Sequence, residues 1–129
     1  MPIELRYRDA GAGVVFICTG TVTAAEFSRA NEEIYSAESL DQLQYQLIDF
    51  TATEHLDSSL EDTRKNAEID AVAASQKRNL IIAVAGPDDL TFGISKMWQA
   101  LASSSGLRTG VFRSVPDAEL WIKQTLEGN

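Results

Sequence analysis

Histidine and cysteine each occur once in this 129-residue chain, as His55 and Cys18. One cysteine cannot close an intrachain disulfide, and the pair cannot furnish a two-histidine metal site. Cys18 ends the apolar run Val14-Val15-Phe16-Ile17-Cys18, where a buried structural thiol is expected and a nucleophile is not. Basic residues are scarce too: 11 against 19 acidic ones, for a net charge of −8. Such a field repels phosphate backbones and anionic lipid, so nucleic acid is not an expected partner. Long apolar runs are missing, since the longest, residues 80–85, stops at Gly86-Pro87, far short of the roughly 20 residues a membrane helix needs. No membrane insertion is expected. The opening Met1-Pro2-Ile3-Glu4 carries acid early and reads as neither signal peptide nor anchor, which with the lone thiol points to the cytoplasm.

Phosphate-binding loops are absent as well. There is no Walker sequence and no Gly-x-Gly-x-x-Gly; Gly11-Ala12-Gly13 lacks the third glycine and lies between two expected strands instead of ahead of a helix. No cofactor and no catalytic metal are expected, and the chain reads as a non-enzyme.

What is present is an orderly alternation of strand and helix signals. Ile3, Leu5 and Tyr7 alternate with charged residues as in a half-exposed edge strand, residues 9–13 supply hairpin chemistry, and residues 14–19 are apolar on both faces. Thr23 and Glu26 have capping-box spacing and Val22 with Phe27 that of a hydrophobic staple, opening a helix that buries Phe27, Ala30 and Ile34 and ends near Ala37. Residues 45–50 predict a third strand followed by a polar loop holding His55, then Ser58 and Glu61 repeat the capping-box spacing. The helix they open runs to about Gln76, with Leu60, Ala67, Ala71 and Ala74 on its inner face.

Residues 80–85 predict a strand covered on both faces, and Asp88 or Asp89 caps a helix carrying Leu90, Ile94, Met97, Trp98 and Leu101 at helical spacing, with Gly93 marking tight packing. A fifth strand over residues 107–112 leads to Ser114 as cap of a last helix bearing Ala118, Trp121, Ile122 and Thr125. A hairpin followed by three strand-helix units predicts one α/β domain over residues 1–129, with a mixed, mostly parallel five-stranded sheet and about four helices.

Few residues offer chemistry. His55 lies beside Glu54 and near Asp57, but a lone loop histidine without a positioned partner is ordinarily a solvated surface residue. Asp49 and Asp88 are expected at the carboxyl edge of the parallel strands, where α/β ligand sites occur, with Asp88 favoured as a helix cap.

The stretch Leu47-Ile48-Asp49-Phe50-Thr51-Ala52-Thr53-Glu54-His55-Leu56-Asp57-Ser58-Ser59-Leu60 is the most informative. It resembles the anti-sigma-factor-antagonist, STAS or SpoIIAA-like family, whose corresponding segment reads approximately Asp-Leu-Ser, five residues, then Asp-Ser-Ser-Gly-Leu. Gly20 ahead of a capped helix, Lys77-Arg78-Asn79 leading into the fourth strand, and the tail from Gly106 through Asp117-Ala118-Glu119-Leu120 are similar to the family in the same order. Leu60 replaces the family's glycine, and Phe92-Gly93-Ile94-Ser95-Lys96-Met97-Trp98 looks like a divergent SpoIIAA-like branch.

The resemblance implies a SpoIIAA-like fold, Ser58 as phosphoacceptor, and a surface of Thr51, Thr53, Asp57, Ser58 and Ser59 that meets a protein partner such as a serine kinase or anti-sigma-like regulator. Homodimerisation stays open. Phosphate on Ser58 would gain roughly 0.3–1 kcal/mol from the helix N-terminus while Asp57, Glu61 and Asp62 oppose it, so the effect would fall on an interface instead of the fold. The alternative reading is a small-molecule or lipid binder, because the same strand-helix order resembles CRAL-TRIO-type carrier domains; its pocket would use Asp49, Asp88, Phe92, Met97 and Trp98.

Overall fold

The computed structural model describes residues 2–128, which form a five-stranded sheet in the order β1-β2-β3-β4-β5: Ile3–Arg8, Gly13–Thr23, Tyr45–Asp57, Ile81–Ala85 and Arg108–Phe112. β1 pairs antiparallel with β2, and every other pair is parallel. This is the mixed α/β sheet expected from the order of apolar runs and capped helices.

Five helices accompany it: α1 Ala24–Ile34, α2 Ala37–Gln42, α3 Leu60–Gln76, α4 Asp89–Ala102 and α5 Val115–Glu127. The expected count was four, with the first helix running to Ala37. The chain instead leaves α1 at Ile34 and makes the short α2, which buries Leu40 against the core.

Because each new parallel strand is added on the same side of the last, crossovers of constant hand must all pass over one face of the sheet. α1, α3 and α4 accordingly share a core with Val14, Phe16, Cys18, Ile48, Phe50, Ile82 and Val84. α5 follows the last strand, has no strand to return to, and packs Ala118 and Ile122 on the other face against Val15, Leu47, Ile81, Ala83 and Ala85. Successive β4 residues alternate between the two cores, which is why the whole strand is apolar.

β2 and β3 are both longer than their apolar runs. Past the pair Asp49↔Ala85, where β4 stops, they continue as a two-stranded parallel ribbon through two register shifts, one bracketing Gly20, whose φ of 64° is left-handed, to the pair Thr23↔Asp57. Residues 51–57 are therefore strand and His55 is an exposed strand residue opposite Thr21, not a loop residue. In the ribbon Val22, Phe50 and Leu56 turn to the core, and the residues between them on β3 are mostly exposed, so it lacks the apolar pattern that marks a covered strand.

Two helix faces differ from expectation. α4 turns Thr91, Ser95, Trp98 and Ala102 to the core and leaves Leu90, Met97 and Leu101 exposed. Gly93 is exposed with nothing within 4 Å of an added Cβ, so it marks no tight packing. The close approach is at Gly86, where a Cβ would stand 3.0 Å from the backbone of Thr91 and Phe92. α3 buries Thr63, Ala67, Asp70 and Ala73, while Leu60 is 57% exposed. The polar Thr63 and Asp70 take the inner face because they have partners there, described below.

Candidate functional site

The ribbon delivers residues 57–59 to the start of α3. Ser59, not Ser58, is the N-cap: its hydroxyl accepts from Asp62 N–H at 3.1 Å, and Asp62 Oδ2 accepts from Ser59 N–H at 3.0 Å. The capping box is thus one residue later than the Ser58/Glu61 spacing suggests. The hydrogen bonds from Ser59 hold the Asp62 carboxyl below the usual carboxylate range. Ser58 is half-buried, and its hydroxyl lies 3.4 Å from that of Thr63, which itself donates to Ser59 O at 3.1 Å. Asp57 is exposed at the ribbon tip.

The rest of the expected surface is dispersed. Thr51 is exposed and binds back to Asp49 Oδ1 through its amide and hydroxyl, at 2.8 and 2.6 Å. Thr53 donates its hydroxyl to Cys18 O at 2.9 Å, so it fastens the ribbon at the register shift. Asp49 and Asp57 are eight residues apart in one strand, roughly 26 Å at 3.3 Å per residue, so they do not flank a tight loop.

Nor do the five residues of the expected pocket come together. Asp88 is exposed and caps α4, its carboxylate accepting from Thr91 N–H at 2.8 Å and from the Thr91 hydroxyl at 2.9 Å; these bonds hold its pKa down. Phe92 is covered by the Arg113 guanidinium, 4.1 Å from its ring centroid, while Arg113 also pairs with Asp89 at 2.9 Å. Met97 is exposed. Only Trp98 reaches a cavity, and that cavity lies elsewhere.

It opens between α1 and α3 and runs down to the sheet, with a volume of about 110 Å³. Phe16, Phe27, Ile48, Phe50 and Val84 are among its apolar walls, and Ser58, Asp62 and Lys65 are on its polar side. Two polar links tie α3 to α1 around it. Asn31 Nδ2 donates to Asn66 Oδ1 at 2.6 Å, and the Tyr35 hydroxyl donates to Asp70 Oδ1 at 2.5 Å. Tyr35 also accepts from Gln46 Nε2 at 2.7 Å, and Trp98 Nε1 donates to Asp70 Oδ2 at 2.8 Å.

Asp70 is 3% exposed, and burial pushes its carboxyl up to about 6 even though both hydrogen bonds favour the anion. The same burial, beside Asp70, raises the Tyr35 phenol well above its ordinary value. Cys18 is fully buried and its thiol is pushed far up by desolvation, so it is the inert structural thiol the sequence suggests.

The network of Asn31, Tyr35, Gln46, Asn66, Asp70 and Trp98 did not emerge from motif reading. Its signal was a polar residue on a core stripe: Asn31 falls between Phe27 and Ile34, and Asp70 between Ala67 and Ala73. Among the described residues no group of three or more His, Cys, Asp or Glu side chains is placed to hold a metal ion, and no helix is long and apolar enough to cross a membrane.

Neither a family model nor a curated protein matches the sequence. A solved structure does: that of an uncharacterised Shewanella loihica PV-4 protein, described as a DUF3478 family member with a SpoIIAA-like fold. It superposes with a TM-score of 0.53 at 18% identity, over 92% of this chain and 90% of that one. At that identity the likeness is one of fold, and the chain has the SpoIIAA-like fold that the stretch from Asp49 to Ser59 led us to expect.

Proposed function

We propose that this chain is a non-catalytic regulatory interaction module, controlled by phosphorylation of Ser58 and read by a protein partner at the ribbon tip and the start of α3. The observation that carries the reading is the division of labour between two adjacent serines. Ser59 performs the capping, so Ser58, whose hydroxyl has only a 3.4 Å neighbour in Thr63, carries no duty at the helix end. A regulatory serine has to be changeable without unfolding its domain, and the absence of a capping role for Ser58 supports that. Phosphate there cannot remain in the half-buried position facing Thr63; it must turn outward, among Asp57, Glu61 and Asp62.

That adds about two negative charges to a surface already acidic, next to the exposed apolar Leu60. A partner packed on Leu60 and Asp57 would be released by it, which fits a serine kinase or an anti-sigma-like regulator. The outward stripe of Leu90, Met97 and Leu101 on α4 offers an apolar surface to the same partner or to a second copy of the chain. The test is phosphate analysis of Ser58 in protein taken from its own cells, joined to partner recovery with Ser58→Ala and Ser58→Asp. Phosphate on Ser58 and a partner kept by Ser58→Ala but lost by Ser58→Asp are expected. Equal recovery by both variants with no phosphate on Ser58 removes the reading.

A further inference from the structure

The cavity between α1 and α3 has features that core packing does not need. Its walls are aromatic and aliphatic, including Phe16, Phe27, Phe50 and Val84, yet at about 110 Å³ they leave a void of the order of a single ring. An enclosed apolar cavity of about 150 Å³ accepts benzene-sized molecules; this one has an apolar floor of similar scale but opens at a polar rim that includes Ser58, Asp62 and Lys65. The packing does not close over it because α1 and α3 are bridged there by polar pairs, Asn31 with Asn66 and Tyr35 with Asp70, instead of interlocking apolar side chains.

The Asn31–Asn66 pair also leaves something unused at the wall. One amide N–H is given to one amide oxygen, and among the described residues Asn31 Oδ1 and Asn66 Nδ2 have no further side-chain partner. Exchanging oxygen and nitrogen in both amides leaves the same balance: one acceptor and one donor. A hydroxyl, which donates once and accepts as well, complements that balance. A carboxylate does not, because it only accepts and leaves the amide oxygen unanswered; Lys65 and Asp62 on the same wall offset one another, and the net charge of −8 opposes an anion.

We propose that this cavity is a binding site for a small uncharged molecule with a ring-sized apolar body and one hydroxyl head, the body lying on Phe16, Phe27, Phe50 and Val84 and the head on Asn31 and Asn66. Ser58 borders the cavity, but the proposal does not rest on the Ser58 reading, since none of its recognition chemistry uses the serine.

Benzyl alcohol is the probe, with toluene as the same body without the head and benzoate as the body with an anionic head. Binding is read on the indole N–H signals of the two tryptophans in the full chain. Trp98 lines the cavity, whereas Trp121 lies across the sheet against Phe112, with ring centroids 5.8 Å apart. Benzyl alcohol should shift the Trp98 signal saturably and leave that of Trp121 in place. Toluene and benzoate should bind about tenfold more weakly, the scale of one unpaired buried polar group. Asn31→Ala combined with Asn66→Ala should bring toluene and benzyl alcohol to equal affinity. Ala24→Leu and Ile94→Phe, which fill the cavity from α1 and from α4, should abolish the shift in whichever retains the wild-type unfolding curve. The absence of a saturable Trp98 shift with benzyl alcohol overturns the proposal, as does toluene or benzoate binding at least as well to the unaltered chain.

Discussion

Trp98 on α4 donates its indole N–H to Asp70 on α3 at 2.8 Å, and that carboxylate, joined also to Tyr35 of the C-cap of α1, ties together three of the helices that cover one face of the sheet. A buried carboxylate holding two donors in place is costly to ionise and costly to lose.

Its titration gives the first prediction. Asp70 has its pKa raised from 3.8 to about 6 in the folded chain, so between these values the folded state holds more protons than the unfolded one. Its favourable contribution is therefore complete below the unfolded value and is lost as pH rises through about 6. From pH 7 to pH 5 the chain should gain about 1 kcal/mol of stability. Asp62 and Asp88, whose pKa values are lowered, act with the opposite sign and only at lower pH. Urea unfolding at pH 5 and pH 7 should show the gain in the wild type and not in Asp70→Asn, which should also be less stable at both pH values because its amide nitrogen must face a donor or displace the Tyr35 proton. An unchanged difference between the two pH values in Asp70→Asn would place the titration elsewhere.

The two serines at the start of α3 should separate in an unfolding experiment. Ser59→Ala removes the acceptor for Asp62 N–H and should cost about 1 kcal/mol, whereas Ser58→Ala removes a 3.4 Å contact and should cost less than half of that. The opposite order would return the capping role to Ser58.

Gly93 sits in the exposed middle of α4 with open space around it. Gly93→Ala should raise stability by roughly 0.5–1 kcal/mol, read as a higher urea midpoint with an unchanged slope. A loss of stability would mean that the position is crowded after all.

Cys18 is completely buried in β2 and its thiol is held protonated. A thiol-reactive disulfide reagent at pH 8 should label it only as fast as the chain opens, so added urea should accelerate labelling steeply. Immediate stoichiometric labelling of the folded chain would contradict the burial.

The elements themselves were legible because their signals are local. Thr23 with Glu26, Asp88 with Thr91 and Ser114 with Asp117 cap helices from three residues away, and the runs 14–18 and 81–85 are apolar because each strand is covered on both sides. The mixed, mostly parallel character of the sheet followed from the hairpin and the crossover rule, whereas the order β1-β2-β3-β4-β5 came from the folded structure. At the candidate site the legible part was the Asp-Ser-Ser segment and its likeness to SpoIIAA-like domains, but the register of its cap was not. Ser58 and Ser59 both have an acid three residues on, and only the path of the ribbon selects Ser59.

Tertiary structure decided the rest. Helical spacing shows that Leu90, Met97 and Leu101 share a stripe, but Thr91, Ser95 and Trp98 share the adjacent one, and a sequence does not say which stripe meets the sheet. The choice was made by Asp70, seven residues after Thr63 on α3, because a buried carboxylate needs donors and the indole of Trp98 and the phenol of Tyr35 supply them only when α4 and α1 turn those residues inward. The cavity has the same origin. It exists because α1 and α3 meet through two polar pairs 35 residues apart in the chain, a distance over which no local periodicity carries information and only the folded sheet brings the partners together.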